Sequence, residues 1–251
     1  MKKFLSILTM LLLLFSSLTS AFAYSGNNEV DDDLEIVYEA QQITDDNEVL
    51  ERAKKGVNEG PVTLIKKVKG SDNSSTVVYE TTQKLKEKKS KKENENKTVT
   101  SYVTTIVAES TYKSDNNYDN TYSARVYIEY HYDMITTDNV QWVEAVKYRY
   151  KYVNLDSQVT ATQMKNYYGC GGQQYENKSK YWVNAAGSAT ASNPTSGIWY
   201  YNTPSTDWGH VNVSTYDGYN GMNVRTDLKR STSTWYFQID AGFGSMQPLI
   251  Q

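Results

Sequence analysis

The sequence predicts an all-β fold: an antiparallel, sandwich-like protein of about ten strands built round one long Tyr-rich hairpin, with one short N-terminal helix. Three observations carry this prediction. The stretch from Thr121 to Val153 alternates apolar and polar residues at period two through both arms of a hairpin. Tyrosine is abundant, 22 residues against five Phe and five Trp, and its flat ring suits a half-buried pleated surface. Beyond that hairpin, short apolar runs are separated by turn residues with no helical period between them, so no βαβ rhythm develops.

In chain order, residues 1–23 read as a secretory signal. Lys2 and Lys3 form a positive start, Phe4 to Phe15 an apolar run, and Ala21-Phe22-Ala23 a cleavage site. The run is shorter than the roughly 20 residues that a membrane-spanning helix needs. The only cysteine is Cys170, so none follows the signal to take a lipid, and Ser245 to Gln251 carries no hydrophobic tail or sorting sequence. The expectation is a secreted product with no stable membrane anchor. Its Lys, Asn and Thr content resembles that of exported proteins of low-GC Gram-positive bacteria. One cysteine makes no internal disulfide, so burial and hydrogen bonding must hold the fold. Without Lys2 and Lys3 the mature chain carries 24 basic and 29 acidic side chains, a net charge of −5, which argues against a nucleic-acid partner.

Residues 24–60 hold 11 Asp/Glu against three Lys/Arg. This acidic block has little to bury and is expected to begin disordered, with a propeptide or inhibitory arm as its functional reading and a solvated tail as the plain one. Within it, Asp45 to Lys55 predicts a helix. Asp45 is the N-cap, Glu48 follows three residues on, Gly56 is the stop, and Val49, Leu50 and Ala53 form an apolar stripe.

From Pro61 the period becomes two. Val62 to Val68 and Thr76 to Leu85 read as strands round a turn at Ser71 to Ser75. The run Lys84 to Lys97 holds seven Lys and three Glu and reads as an exposed loop or strand extension, able to meet an anionic polymer or simply solvated. Thr98 to Tyr112 mixes β-branched and hydroxyl residues on both faces, as in a strand moderately buried on both sides. Ser114 to Asn120 turns the chain into the hairpin. There Tyr122, Ala124, Val126, Ile128, Tyr130 and Tyr132 line one face of the first arm. In the second arm Trp142, Val146, Tyr148, Tyr150 and Tyr152 are expected to share a face, opposite Lys147, Arg149 and Lys151. Asp156 to Tyr168 reads as a short helix ended by Gly169. Short strands follow at Tyr181 to Asn184, Ile198 to Asn202, His210 to Thr215, Met222 to Leu228 and Thr234 to Asp240. Residues 61–156 and 157–251 thus form a long-strand and a short-strand region, in one domain or two.

Chemistry is sparse. Two histidines, His131 and His210, and one cysteine offer no zinc spacing, and no acidic calcium loop is present, so neither metal nor cofactor is expected. Cys170 sits in Tyr168-Gly169-Cys170-Gly171-Gly172, and Trp208-Gly209-His210-Val211 opens a strand forty residues later. A cysteine followed by a Gly-His-Val strand resembles the order in secreted cysteine peptidases that cut cell-wall peptides, the CHAP and NlpC/P60 groups. The resemblance covers those two short points. It implies Cys170 as nucleophile, His210 as its base and Asn212 or Asn223 as orienter. A second alternative is a β-pore-forming toxin, suggested by long Ser/Thr-rich strands. The residues favour a third use, non-catalytic binding of cell-wall glycan or an extracellular protein. Aromatic rings on a rigid sheet serve that purpose: Tyr132, Tyr150 and Tyr152 near strand ends, and Trp199 and Trp208 in the downstream region.

Overall fold

A computed structural model describes residues 33–61, 65–114, 117–118, 122–176 and 182–244. Residues 1–32, which include the expected signal, and residues 62–64, 115–116, 119–121, 177–181 and 245–251 lie outside them. Along the described chain run β1 (Leu34–Glu39), α1 (Asp46–Lys54), β2 (Ile65–Gly70), β3 (Ser74–Ser90), β4 (Thr98–Ser114), β5 (Asn117–Tyr118), β6 (Ala124–Thr137) and β7 (Val140–Asn154). Then follow β8 (Val159–Gln173), β9 (Trp182–Ser192), β10 (Trp199–Asn202), a 3-10 turn at Thr206–Trp208, β11 (Val211–Asn212), β12 (Tyr219–Arg230) and β13 (Ser233–Gly244).

The strands form two antiparallel sheets packed face to face, an all-β sandwich. The first has the order β1-β3-β4-β6-β7-β10, with β11 also on β7 and β5 on β4; the second has the order β2-β13-β12-β8-β9. The two sequence regions exchange strands. β2 precedes the long hairpin yet pairs with β13, while β10 and β11 follow it yet pair with β7. The turn after β2 therefore carries the chain from one sheet to the other rather than closing a hairpin.

The hairpin β6–β7 is central to the first sheet. Asp138 and Asn139 both take positive φ, 51° and 64°. That is the backbone of a two-residue turn whose twist matches the strands, and Asp and Asn adopt it more readily than other side-chain-bearing residues. Its core row is Ala124, Val126, Ile128, Tyr130, Tyr132 and Met134, all buried. In β7 the expected face is corrected. His131 pairs with Lys147 but Tyr132 pairs with Ala145, leaving Val146 unpaired in a bulge. One extra residue reverses the alternation, so Val143 and Ala145 join Tyr148, Tyr150 and Tyr152 in the core. Trp142 instead pairs beside Ile135 and meets Tyr175 edge-on at 5.5 Å.

Other expectations are also revised. Asp156 to Tyr168 is no helix; it belongs largely to β8, whose Val159, Ala161 and Met164 enter the core at alternate or near-alternate positions and whose ladder to β12 shifts register at Asp227/Leu228. The bulge breaks strict period two, which is why the segment does not read as a strand. The start of the acidic block, residues 24–32, lies outside the described residues; from Leu34 to Glu39 the block forms strand β1, which pairs with the lysine-rich end of β3 at Lys86 to Ser90. Lys86 meets Glu39 at 3.4 Å and Lys92 meets Asp33 at 2.5 Å. The lysine run is not wholly solvated either, since Lys97 is buried with its ammonium 5.1 Å from the Tyr175 ring centre.

Helix α1 forms as its cap predicts: Asp45 Oδ1 accepts hydrogen bonds from Asn47 N (3.0 Å) and Glu48 N (2.9 Å). Its Val49, Leu50 and Ala53 pack against Val107 and Tyr127 on the face of the first sheet that lies away from the sandwich core. β4 is consequently buried on both faces from Val103 to Ser110, which accounts for its mixed pattern.

Between the sheets, Asn220 of β12 is the polar centre. Its Oδ1 accepts from Tyr130 Oη at 2.7 Å and Tyr148 Oη at 3.4 Å, and its Nδ2 donates to the Val143 carbonyl at 3.0 Å. Burial holds both phenols well above the ordinary tyrosine value, so they remain donors. Asn220→Ala leaves two buried hydroxyls and a carbonyl without these partners and should destabilise the protein by about 3 kcal/mol, whereas Tyr148→Phe removes one long bond and should cost about 1 kcal/mol. Urea unfolding of the two variants checks the difference.

Candidate functional site

The outer face of β7 carries Lys147, Arg149 and Lys151 at alternate positions, and β10 pairs beside them with Trp199 opposite Lys151 and Tyr201 opposite Arg149. Alternation within Trp199-Tyr200-Tyr201 sends Tyr200 inward, where it stacks on Tyr150 at 5.8 Å. Trp199 and Tyr201 stay on the outer side. Arg149 lies 4.2 Å and Lys151 4.3 Å from the Trp199 ring centre, and Lys147 lies 5.2 Å from that of Tyr201. Tyr127 meets Trp199 edge-on. The result is a pair of rings backed by cations on a paired strand.

The cations are themselves fixed. Glu129, buried, accepts from His131 Nε2 at 3.0 Å and Gln42 Nε2 at 3.3 Å and forms an ion pair with Arg149 Nη1 at 3.1 Å. Burial works against its charge, but His131, Arg149 and Gln42 outweigh it and hold the carboxyl below its usual value. Lys151 reaches both oxygens of Asp46 at 2.5 Å and ties the first turn of α1 to this face. Tyr201 remains 67 % exposed and Trp199 is half-buried. Lys147, Arg149 and Lys151 lie opposite the tyrosines as the alternation predicts, whereas Tyr201 does not stand out in the sequence, although the period of a short strand beginning at Trp199 places it on the same side as that residue.

The other anticipated binding residues are placed differently. Tyr132, Tyr150 and Tyr152 are buried. The bulge and the second sheet enclose them. Trp208 is half-buried and packs at 5.8 Å on Tyr168, which in turn lies 5.0 Å from Tyr148. It caps the core aromatic cluster more than it faces solvent.

Cys170 lies inside β8 between Asn220 of β12 and Ala185 of β9, fully buried. Burial, and then the Glu144 charge, push its thiol up to about 12, so it offers no thiolate near neutrality. His210 bonds elsewhere: its Nδ1 is 2.7 Å from Glu176 Oε1 and 3.3 Å from Glu144 Oε2. Its Nε2 is buried with no hydrogen-bond partner among the described residues. Asn212 Oδ1 accepts from Ser214 N, and the Asn223 carbonyl accepts from Asn166 Nδ2. Among the described residues no hydrogen bond or ion pair joins Cys170 to His210, whose Nδ1 is taken by the two carboxylates. Glu144 and Glu176 are the partners that sequence reasoning missed, because they reach His210 from positions 66 and 34 residues away.

No protein-family model, curated protein or solved structure matches the chain. Among the described residues, no group of three His, Cys, Asp or Glu side chains could hold a metal ion, and no helix is long and apolar enough to cross a membrane.

The placements of His210 and Cys170 each set a measurement. Burial opposes protonation of His210, but the Glu176 bond and the Glu144, Glu176 and Asp133 charges outweigh it and raise its pKa above the ordinary 6.5. A raised folded value means that protonation favours folding; the gain is complete below pH 6.5 and fades as pH rises through the folded value. His210→Gln should therefore cost more stability at pH 5.5 than at pH 8.5 in urea titrations. A soluble disulfide reagent should modify Cys170 only as the protein unfolds, at the rate of global opening.

Proposed function

We propose that the protein is a non-catalytic binding module that takes up an extracellular glycan on the outer face of β7 and β10. One observation supports this reading above others: Tyr201 presents its ring to solvent while Lys147 fixes it from the strand alongside, next to a Trp199 held by Arg149 and Lys151. A ring held in place loses little freedom when a sugar face stacks on it. Lys147 and Arg149, both partly exposed, add hydrogen-bond donors for hydroxyl or carboxylate groups of the sugar. The expected secretion of the chain places such a module where wall polysaccharide is found.

Binding to purified cell-wall polysaccharide, followed by calorimetry, tests the proposal. Tyr201→Ala and Trp199→Ala should each weaken affinity about tenfold. Tyr216→Ala should leave it unchanged, because Tyr216 is 89 % exposed but lies in the loop after β11, outside the platform. Absence of binding by the native protein, or equal weakening by all three changes, would overturn it.

A further inference from the structure

Among the described residues each sheet ends in strands with one unpaired side, and such edges invite pairing with another chain unless they are short or charged. Three of the four edges meet that condition. β1 carries Glu35 and Glu39 in six residues, β2 has the sequence IKKVKG, and the β7 edge is covered by β10 and β11, of four and two residues. The fourth is different. β9 runs for eleven residues, WVNAAGSATAS, without a charged residue or a proline. Among the described residues its only ladder partner is β8.

The side chains of β9 are also incompletely covered. Exposed and half-buried residues alternate along its whole length and none is buried. The half-buried row is Val183, Ala185, Gly187, Ala189 and Ala191, apolar and small. It lies on the core side, where the Tyr168 ring closes over Gly187 so tightly that a Cβ there would sit 2.5 Å from Tyr168 Cζ. A shallow depression of about 200 Å³ lies mid-strand, lined by Tyr167, Tyr168, Ala186, Gly187 and Ser188. The strand thus has the pattern of an interior strand and the position of an edge.

We infer that β9 is a dimerisation edge, at which two copies of this chain pair antiparallel about a two-fold axis and join their second sheets into one. Charge selects a second copy as the occupant. Self-pairing brings like charges together on a strand that carries one sign, as β1 and β2 do, and that repulsion is absent from β9. The contact is isologous and closes on itself. Full overlap centres the axis on Gly187, setting Ala186 opposite Ser188 of the second copy and Trp182 opposite its Ser192. Two eleven-residue strands then exchange about ten backbone hydrogen bonds, the number typical of a whole stable interface. The small side chains let the half-exposed apolar row continue across the join.

Light scattering coupled to size exclusion, on the mature chain at micromolar concentration, should give twice the monomer mass. The double variant A186K/S188K sets Lys against Lys at both crossings and should weaken the dimer at least about tenfold, to monomer mass. A186K/S188E changes the same exposed positions but sets Lys against Glu, and should remain dimeric. Matching circular dichroism and thermal melts keep the comparison independent of folding. A native chain that stays monomeric, or a dimer unaffected by A186K/S188K, would overturn the inference.

Discussion

Asn220 gives the buried tyrosines of the two-sheet core a shared polar partner. Tyr130 and Tyr148, from neighbouring strands of the first sheet, aim their hydroxyls at one amide oxygen on the second. A buried hydroxyl without a partner costs about 1–3 kcal/mol, so the sheets gain most when they pack in the register that brings Asn220 under both rings. Around it the aromatics continue in contact: Tyr102 on Tyr132, Tyr132 on Tyr130, Tyr130 on Tyr148, and Phe243 of β13 against the middle pair. A polar contact of this kind specifies one alignment, which apolar packing alone does less sharply. With no disulfide available, that specificity has to come from side-chain packing and hydrogen bonding.

The opposite face of the first sheet is arranged by charge. Arg125 bonds Glu109 through Nε and Nη2, Arg149 and His131 share Glu129, and Lys151 takes Asp46 from α1. The helix lies over this face through a small apolar contact and is fixed by the Lys151–Asp46 pair at its first turn. Beyond the helix the same row of cations continues under Trp199 and Tyr201. Structural support and the proposed sugar platform therefore share one strand, β7, and the bulge at Val146 lies beside the place where the row begins. Without that extra residue, Lys147, Arg149 and Lys151 would turn toward the core and the tyrosines would turn outward.

Several features were legible from residue order because they depend on neighbours in the chain. The Asp45 cap, the narrow stripe of α1 and the alternation of β6 are local, and each appears where the pattern places it. Features requiring a partner far along the chain were not legible. The stretch Leu34 to Glu39 shows no partner until the lysines of β3 are set beside it. Tyr150 and Tyr152 look available for recognition until β8, β10 and β12 enclose them. Cys170 and His210 look like a nucleophile and base until the thiol is found inside the sandwich and the imidazole between two carboxylates.

Residue order alone determined that this chain is β-rich, free of disulfides and organised round the hairpin that ends near Val153. Those properties follow from composition and from period-two alternation, which a strand expresses whatever it pairs with. Only the tertiary structure decided which tyrosines are core, which aromatics reach solvent and which edge is left open. The physical reason is that one unpaired residue, Val146, inverts every side chain after it, and that burial belongs to the packed pair of sheets rather than to any strand.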